Sequence, residues 1–193
     1  MFPLNLPNAL TLIRILLVPV LVVALTVETP GGSTIAAIVF AIAAFTDGLD
    51  GYIARSRQSI TTFGKVMDPI ADKLMIAAAL ISLVSLERLA AWVAMVIIAR
   101  EFAVSGLRIA AGQQGVVIPA SGLGKVKTIV QVVAVLALIA ANDPSEAWVQ
   151  ALVYAMVVIT VASGADYFLN FRRRIEEAAR ERTAGTSAAR QRS

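Results

Sequence analysis

The stretch STIAAIVFAIAAF at residues 33–45 runs directly into TDGLDGYIAR at residues 46–55, and this junction restricts the fold more than any other part of the chain. The first part is apolar, but it is too short to cross about 30 Å of hydrocarbon, which takes about 20 residues. The second part carries Asp47 and Asp50. Because charges at membrane depth are costly unless they face water or other charges, the junction predicts a membrane helix whose inner half lines a polar cavity.

Three further segments show the same division into an apolar half and a charged half. Their apolar stretches, residues 74–86, 89–99 and 129–141, are also too short to span a bilayer alone. The charged residues beside them are Asp72, Lys73, Arg100, Glu101, Arg108, Lys125 and Lys127. We expect these inner halves to surround one polar cavity that opens to the cytosol.

The composition of the whole chain also places it in a bilayer. Of its 193 residues, 58% are hydrophobic and only 16% are charged, and the mean hydropathy is +0.78, far outside the range of a soluble domain. A chain of this length has room for about six spans. We therefore predict an all-α integral membrane protein, a bundle of about six transmembrane helices. The apolar runs place these helices near Leu10–Val27, Ser33–Ala54, Pro69–Leu86, Leu89–Ala111, Lys125–Ala141 and Ala147–Phe168.

Basic residues are distributed unequally between the two ends of these helices. The connections at one end, residues 28–32, 85–88 and 142–146, contain a single basic residue, Arg88. The positive-inside rule assigns the other end, with both termini and the active site, to the cytosol. We predict a multi-pass protein of the inner membrane, with a membrane domain at residues 1–170 and a basic cytosolic tail at 171–193. The tail should begin as a charged extension of the last helix and fade into small polar residues.

The chain contains no Cys and no His, which excludes several kinds of chemistry. Thiolate catalysis, disulfides, Cys/His zinc sites and imidazole acid–base catalysis are all ruled out. Proton transfer must therefore fall to a carboxylate, a lysine or a tyrosine. The net charge of +4 does not indicate a nucleic-acid partner, because the basic residues lie beside apolar spans and in the tail.

Four aspartates form two pairs at helical spacing. Asp47 and Asp50 are three residues apart, and Asp68 and Asp72 are four apart, so each pair projects from one helix face. Two such pairs meeting across a helical hairpin repel one another unless positive charge compensates them. Carboxylate oxygens favour hard divalent cations such as Mg²⁺ or Mn²⁺, with phosphate as a natural co-ligand. An alternative for Asp68 is that it caps a helix that starts with Pro69.

Small and basic residues accompany the aspartates. Gly51 and Ala54 follow them at helical spacing and leave little side-chain bulk, so a phosphate or a nucleotide can approach closely. Arg55 offers a rigid fork suited to phosphate oxygens. Gly64 gives the expected connecting loop a permissive backbone.

These residues resemble the signature of the CDP-alcohol phosphotransferase family, D-x-x-D-G-x-x-A-R, eight residues, then G-x-x-x-D-x-x-x-D. The chain matches the signature at Asp47, Asp50, Gly51, Ala54, Arg55, Gly64, Asp68 and Asp72. The segments LPNALTLIRILLVP (residues 6–19), IIAREFAVSGLR (97–108) and GKVKTIVQ (124–131) resemble the branch of the family that uses glycerol 3-phosphate.

The resemblance implies a reaction and a set of roles. The substrates would be CDP-diacylglycerol and sn-glycerol 3-phosphate, and CMP would be released. Two divalent ions would be held by the four aspartates, with Asp72 also acting as the general base. Gly51, Arg55 and Thr61 would bind the CDP-lipid. The resemblance further implies a homodimer embedded in membrane lipid.

Two groups of residues outside the signature are weaker candidates. An acceptor that carries a phosphate needs an anion site, for which the candidates are Arg108, Lys125, Lys127 and Arg100. The alternatives are topology anchoring for the lysines, and a structural ion pair with Glu101 for Arg100. On helix one, Asn8, Thr11 and Arg14 recur at helical spacing and could bind the CDP part, or could form an ordinary helix start with an interfacial arginine.

Two other functions remain open at this point. The same chemistry could use another acceptor, such as inositol phosphate or serine. The acidic cavity could instead belong to an ion-binding transporter without enzymatic activity.

Overall fold

The structure is a computed structural model that describes residues 6–27, 32–57, 62–113, 115–116 and 122–190. Inside the helices, several side chains also lie outside the description, among them those of residues 47–69 and of Asp72. The described residues form six α-helices and no strand. The helices are α1 (Leu6–Thr26), α2 (Gly32–Arg57), α3 (Thr62–Ser85), α4 (Ala91–Gln113), α5 (Gly122–Ala140) and α6 (Ala147–Arg190).

The all-α class and the six helices are confirmed, but two helix ends were predicted wrongly. α3 begins at Thr62, not at Pro69, so Asp68 lies inside the helix and is not its N-cap. Gly64 is likewise helical, not part of a connecting loop. The helix continues through Pro69, although proline lacks the amide donor and its ring crowds the carbonyl four residues earlier.

The second error is at the end of the last helix. α6 does not end near Phe168, and the charged extension that was expected to fade within the tail is helical as far as Arg190. This extension is rich in Arg, Glu and Ala, which are good helix formers. It also contains an exposed i,i+4 ion pair, Arg172 Nε to Glu176 Oε1 at 2.8 Å, of the kind that supports an isolated helix.

The chain divides into two compact units, Met1–Met95 with Gln131–Tyr154, and Val96–Val130 with Ala155–Ser193. In the first unit, α1 packs against α2 and α3, and α2 also contacts α3. Small residues line the interior of both α2 and α3, beside larger apolar side chains. The buried residues there include Ala36, Phe40 and Ala43 on α2 and Ala71, Ala79 and Leu83 on α3. Small side chains let membrane helices approach closely, and close packing stabilises them where lipid removes the hydrophobic driving force.

Large apolar side chains are exposed on all six helices. Examples are Leu16 on α1, Ile38 on α2, Ile81 on α3, Met95 on α4, Ile129 on α5 and Val158 on α6. Two stretches, Gly122–Ala140 and Ala147–Glu177, are long and apolar enough to cross a membrane. Shorter apolar stretches cover Thr11–Thr26, Ser33–Thr46 and Lys73–Ser85.

The turn after α3 is closed by a Schellman motif that needs no glycine. Arg88 N donates to Leu83 O (2.9 Å) and Glu87 N donates to Val84 O (3.0 Å), with Glu87 in the left-handed region at φ 56°. Arg88 then points at the end of α5. Its Nε donates to Leu138 O at 2.8 Å, and its Nη2 donates to Ala141 O. The only basic residue of the predicted outer connections is therefore a cap for the C-terminal carbonyls of α5.

Removing this cap should destabilise the first unit. Arg88→Ala leaves two carbonyl oxygens without their charged donor, and charge-assisted hydrogen bonds contribute about 1.5–3 kcal/mol each. We expect the free energy of unfolding to fall by about 2–4 kcal/mol, measured in mixed micelles titrated with denaturing detergent. For Arg88→Lys, the free energy of unfolding should lie between the values for wild type and Arg88→Ala. A lysine ammonium keeps the charge but cannot donate to both carbonyls at once as the guanidinium does.

Arg172→Ala is the matched control for the arginine cap. Its side chain is 71% exposed and makes a surface pair with Glu176, so the loss should stay below about 0.5 kcal/mol. Equal losses in the two variants would contradict the capping role of Arg88.

The loop before α6 contains an aspartate whose side-chain hydrogen bonds are local. Asp143 Oδ1 accepts a hydrogen bond from Ser145 N at 2.8 Å. Hydrogen bonds from the side chain and the backbone of Ser145 hold the pKa of Asp143 below its ordinary value. This fully exposed carboxylate serves below as a reference for the aspartates of the signature.

Candidate active site

The four signature aspartates lie on two helices of the first unit. Asp47 and Asp50 are in the C-terminal half of α2, and Asp68 and Asp72 are in the N-terminal half of α3. Within each pair the residues are about one helical turn apart, or roughly 4.5 to 6 Å along the axis. Their side chains lie outside the described residues, as do those of Gly51, Ala54, Arg55 and Gly64, and Thr61 lies outside them altogether.

Chain connectivity restricts how far apart the two acidic halves can be. Arg57 ends α2 and Thr62 begins α3, so five peptide steps separate them and span at most about 18 Å. The two helices also contact each other. The acidic ends are therefore the joined ends of one helical hairpin, which is the arrangement that the two pairs require.

The donor set on this hairpin suits a hard divalent cation. All four residues offer carboxylate oxygens, and the chain has no thiolate or imidazole that would favour zinc or copper. Among the side chains that the structure describes, no group of three acidic, His or Cys residues comes together elsewhere.

Two of the three candidates on α1 are buried in the first unit. The side chains of Thr11 and Arg14 are 1% and 2% exposed, whereas the side chain of Asn8 lies outside the described residues. α1 contacts both helices that carry the signature. An arginine buried to this degree does not behave as an interfacial anchor, because a guanidinium removed from solvent needs polar partners.

In the second unit, a glutamate links two of the candidate cations. Glu101 Oε1 accepts from Lys127 Nζ and lies 3.3 Å from Arg100 Nη1. Arg100 Nη2 donates to Ser163 Oγ at 3.1 Å, and Ser163 Oγ donates to Thr160 O at 3.0 Å. We call Arg100, Glu101, Lys127 and Ser163 the charged cluster. It joins α4, α5 and α6.

A second arginine of α4, about two helical turns after Arg100, also contacts α6. Arg108 lies over the ring of Tyr167, with 5.8 Å from its Cζ to the ring centroid, within the range of a cation–π contact. Since Arg100 meets Ser163 and Arg108 meets Tyr167, α4 and α6 run in the same direction. The Tyr167 hydroxyl is buried and has no hydrogen-bond partner in the described part of the chain.

The structure therefore separates the four candidate cations. Arg100 and Lys127 belong to the charged cluster, Arg108 belongs to the neighbouring pair with Tyr167, and Lys125 is exposed outside both. Lys127 is 5% exposed, so a role as a topology anchor at the headgroups does not fit it. Arg100 and Glu101 do form an ion pair, at 3.3 Å, and a contact of Arg100 with the substrate stays a prediction.

Four residues of α6 were not found by sequence reasoning. They are Thr160, Ser163, Gly164 and Tyr167. A signal was present, since small and polar residues recur at three- and four-residue spacing in an otherwise apolar helix. A polar stripe of this kind predicts a face turned away from lipid.

Comparison with known sequences identifies the family. The family model described as CDP-alcohol phosphatidyltransferase matches residues 4–163. The chain belongs to this family. All eight signature positions, from Asp47 to Asp72, lie inside the matched region, as do the charged cluster and α1.

Several curated relatives of this phosphatidyltransferase chain are similar over most of its length. A CDP-diacylglycerol–glycerol-3-phosphate 3-phosphatidyltransferase of Bacillus subtilis (strain 168) is 42% identical over 180 residues, which cover 85% of this chain and 93% of that protein. A probable phosphatidylglycerophosphate synthase of Mycobacterium tuberculosis (strain H37Rv) is 41% identical over 167 residues, 84% of this chain and 79% of that protein. A cardiolipin synthase (CMP-forming) of Oryza sativa subsp. japonica is 38% identical over 174 residues, 83% of this chain and 53% of that protein.

Proposed function

We propose that this phosphatidyltransferase transfers the phosphatidyl group of CDP-diacylglycerol to sn-glycerol 3-phosphate and releases CMP. The observation that carries the proposal is the 42% identity with the Bacillus subtilis enzyme over 85% of the chain. The complete signature on the α2–α3 hairpin supports the chemistry, and the cations of the second unit support an acceptor with a phosphate.

The proposal places the enzyme in the inner membrane as a multi-pass protein with cytosolic termini. The support is the large apolar side chains exposed on every described helix, which water would penalise and lipid would accept. The distribution of Lys and Arg supports the orientation. The polar ends of α2 and α3 would then face a cytosolic cavity. A homodimer is part of the proposal because the family resemblance implies it.

The proposed reaction is a direct in-line displacement. The acceptor hydroxyl oxygen forms a bond to the lipid-side phosphorus, the bond from that phosphorus to the bridging pyrophosphate oxygen breaks, and CMP leaves with the electron pair. Asp72 accepts the proton from the hydroxyl as general base. Asp47, Asp50, Asp68 and Asp72 would hold two divalent ions, Mg²⁺ or Mn²⁺, which when bound neutralise charge on the pyrophosphate.

Two sets of residues bind the substrates in this proposal. The CDP-lipid is held by small and polar residues of the hairpin and by α1, namely Gly51, Ala54, Arg55, Thr61, Gly64, Asn8, Thr11 and Arg14. The acceptor phosphate is bound by cations drawn from Arg100, Arg108, Lys125 and Lys127. Of these, Arg100, Lys127 and Arg108 are favoured, because each is held by neighbouring side chains and is therefore pre-organised.

Acceptor use by the purified protein tests the proposal. CMP release would be measured in liposomes with CDP-diacylglycerol and Mg²⁺, with glycerol 3-phosphate, inositol phosphate, serine or glycerol as acceptor. We expect release that depends on glycerol 3-phosphate and a product lipid that retains a terminal phosphate. If the protein used serine or glycerol efficiently and did not use glycerol 3-phosphate, the proposed acceptor would be wrong. Failure to release CMP with any acceptor would favour the transporter alternative.

The relative from Oryza sativa supports a second candidate. That relative is named for forming cardiolipin and CMP, so in this second candidate the acceptor would be phosphatidylglycerol. Phosphatidylglycerol in the same assay distinguishes the two, since cardiolipin as product would favour this candidate. The cations of the second unit favour the first candidate, because glycerol 3-phosphate carries a phosphate dianion and phosphatidylglycerol only a phosphodiester.

A further inference from the structure

Glu101 occupies an unusual position among the charged residues of the second unit. Its Oε1 is shared by two cations from different helices, Arg100 on α4 and Lys127 on α5. The side chains of the three residues are only 15%, 17% and 7% exposed for Arg100, Glu101 and Lys127 respectively. At this depth two neighbouring cations repel each other strongly, and a shared carboxylate removes that repulsion.

Arg100 is held from a second side by α6. Ser163 Oγ accepts from its Nη2, and Gly164 leaves the space through which the side chain runs. A Cβ added at Gly164 would lie 3.2 Å from Arg100 Cγ and 3.7 Å from its Nε. The orientation of the guanidinium therefore depends on both Glu101 and the absence of a side chain at position 164.

The Nε–H of Arg100 is buried and has no hydrogen-bond partner in the part of the chain that the structure describes. Glu101 and Ser163 engage the two terminal nitrogens, so this third nitrogen is left without a partner among the described residues. Unsatisfied buried donors are costly in a purely structural ion pair. A buried ion pair also adds little net stability compared with apolar packing. Both points indicate that the charged cluster serves something other than stability.

We propose that Glu101 is a positioning residue that acts through Arg100 and Lys127. Its carboxylate holds the two cations on one oxygen, Oε1, so that both can act on the phosphate of the acceptor. This inference rests on the proposed function, because it requires an acceptor that carries a phosphate. Glu101 itself does not contact the reacting atoms.

Two variants disturb the cluster in different ways. Glu101→Gln keeps the shape but removes the shared charge. Gly164→Ala keeps every charge and displaces Arg100 by a few tenths of an ångström. Gly106→Ala is the matched control, because it lies on α4 and a Cβ there meets nothing within 4 Å. Michaelis constants for glycerol 3-phosphate and CDP-diacylglycerol, kcat and the melting temperature would be measured for the full-length protein in liposomes or detergent.

We expect the Michaelis constant for glycerol 3-phosphate to rise about 10- to 100-fold in Glu101→Gln, the loss typical of a misplaced charge-assisted contact. Gly164→Ala should raise it by about 3- to 10-fold, since the displacement is small. The kcat and the Michaelis constant for CDP-diacylglycerol should stay within about twofold, and Gly106→Ala should behave as wild type.

A merely structural role gives a different result. It would lower the melting temperature and the active fraction, and hence the apparent kcat, while the Michaelis constant for glycerol 3-phosphate stayed unchanged. That result would overturn this inference and leave the proposed function intact. If Glu101→Gln fails to fold, the Michaelis constant of Gly164→Ala for glycerol 3-phosphate decides instead: a rise supports the inference, and an unchanged value overturns it. Wild-type enzyme that ignores glycerol 3-phosphate would overturn both the proposed function and this inference.

Discussion

Asp72→Asn should lower kcat for CMP release by about 10³- to 10⁴-fold, the upper range for loss of a general base. The amide has the size of the carboxylate, but it cannot accept the proton of the acceptor hydroxyl and is a poorer ligand for a divalent ion. The rate would be followed as CMP released from CDP-diacylglycerol with saturating glycerol 3-phosphate and Mg²⁺. Raising the Mg²⁺ concentration should not restore it, because the missing group is also the base.

Asp143→Asn is the matched control for this substitution. It makes the same chemical change in an exposed loop, where hydrogen bonds from Ser145 and the charge of Arg88 act on the carboxylate. Its activity should equal that of wild type. If Asp72→Asn kept more than about a tenth of wild-type kcat, Asp72 could not be the general base.

Removal of divalent ions should abolish the activity without unfolding the protein. Treatment with a chelator should reduce CMP release by about 10³-fold or more, since neutralisation of pyrophosphate charge contributes several kcal/mol to such reactions. Added Mg²⁺ or Mn²⁺ should restore the rate. Helical circular dichroism should remain unchanged, because the described helices pack through apolar and small side chains.

A variant of one metal-holding residue sharpens this test. Asp50→Asn should raise the Mg²⁺ concentration needed for half-maximal activity, because one of the carboxylates that compensate the ion is lost. Activity that persists in the presence of chelator, or an unchanged Mg²⁺ requirement in Asp50→Asn, would contradict the metal role of the hairpin.

The sequence was sufficient for the parts of the fold that depend on local patterns. Long apolar runs predict helices because a buried or lipid-facing backbone must satisfy its own hydrogen bonds, and all six were found. The start of α3 and the end of α6 were harder to predict from the sequence. Pro69 is compatible with both a helix start and a helix interior, and the extension to Arg190 depends on helix propensity, which is a weak signal beside hydropathy.

Local spacing was also sufficient for the part of the candidate site whose residues are close in the chain. Asp47, Asp50, Asp68 and Asp72 lie within one hairpin, so their spacing alone implies that they share one end of it. The sequence did not show which of the basic candidates lie together in the fold. Lys125 and Lys127 are equivalent in the sequence, yet helix geometry turns only Lys127 toward Glu101, which lies 26 residues earlier.

The sequence by itself determined the helical class, the division of α2 and α3 into apolar and acidic halves, and the signature on which the family depends. These follow from periodicity, hydropathy and spacing, which act over a few helical turns. Only the tertiary structure decided that Arg88 caps α5, that Glu101 joins Arg100 to Lys127, and that Gly164 admits the Arg100 side chain. Each of these contacts joins helices distant in the chain, and their pairing depends on packing, which no local pattern encodes.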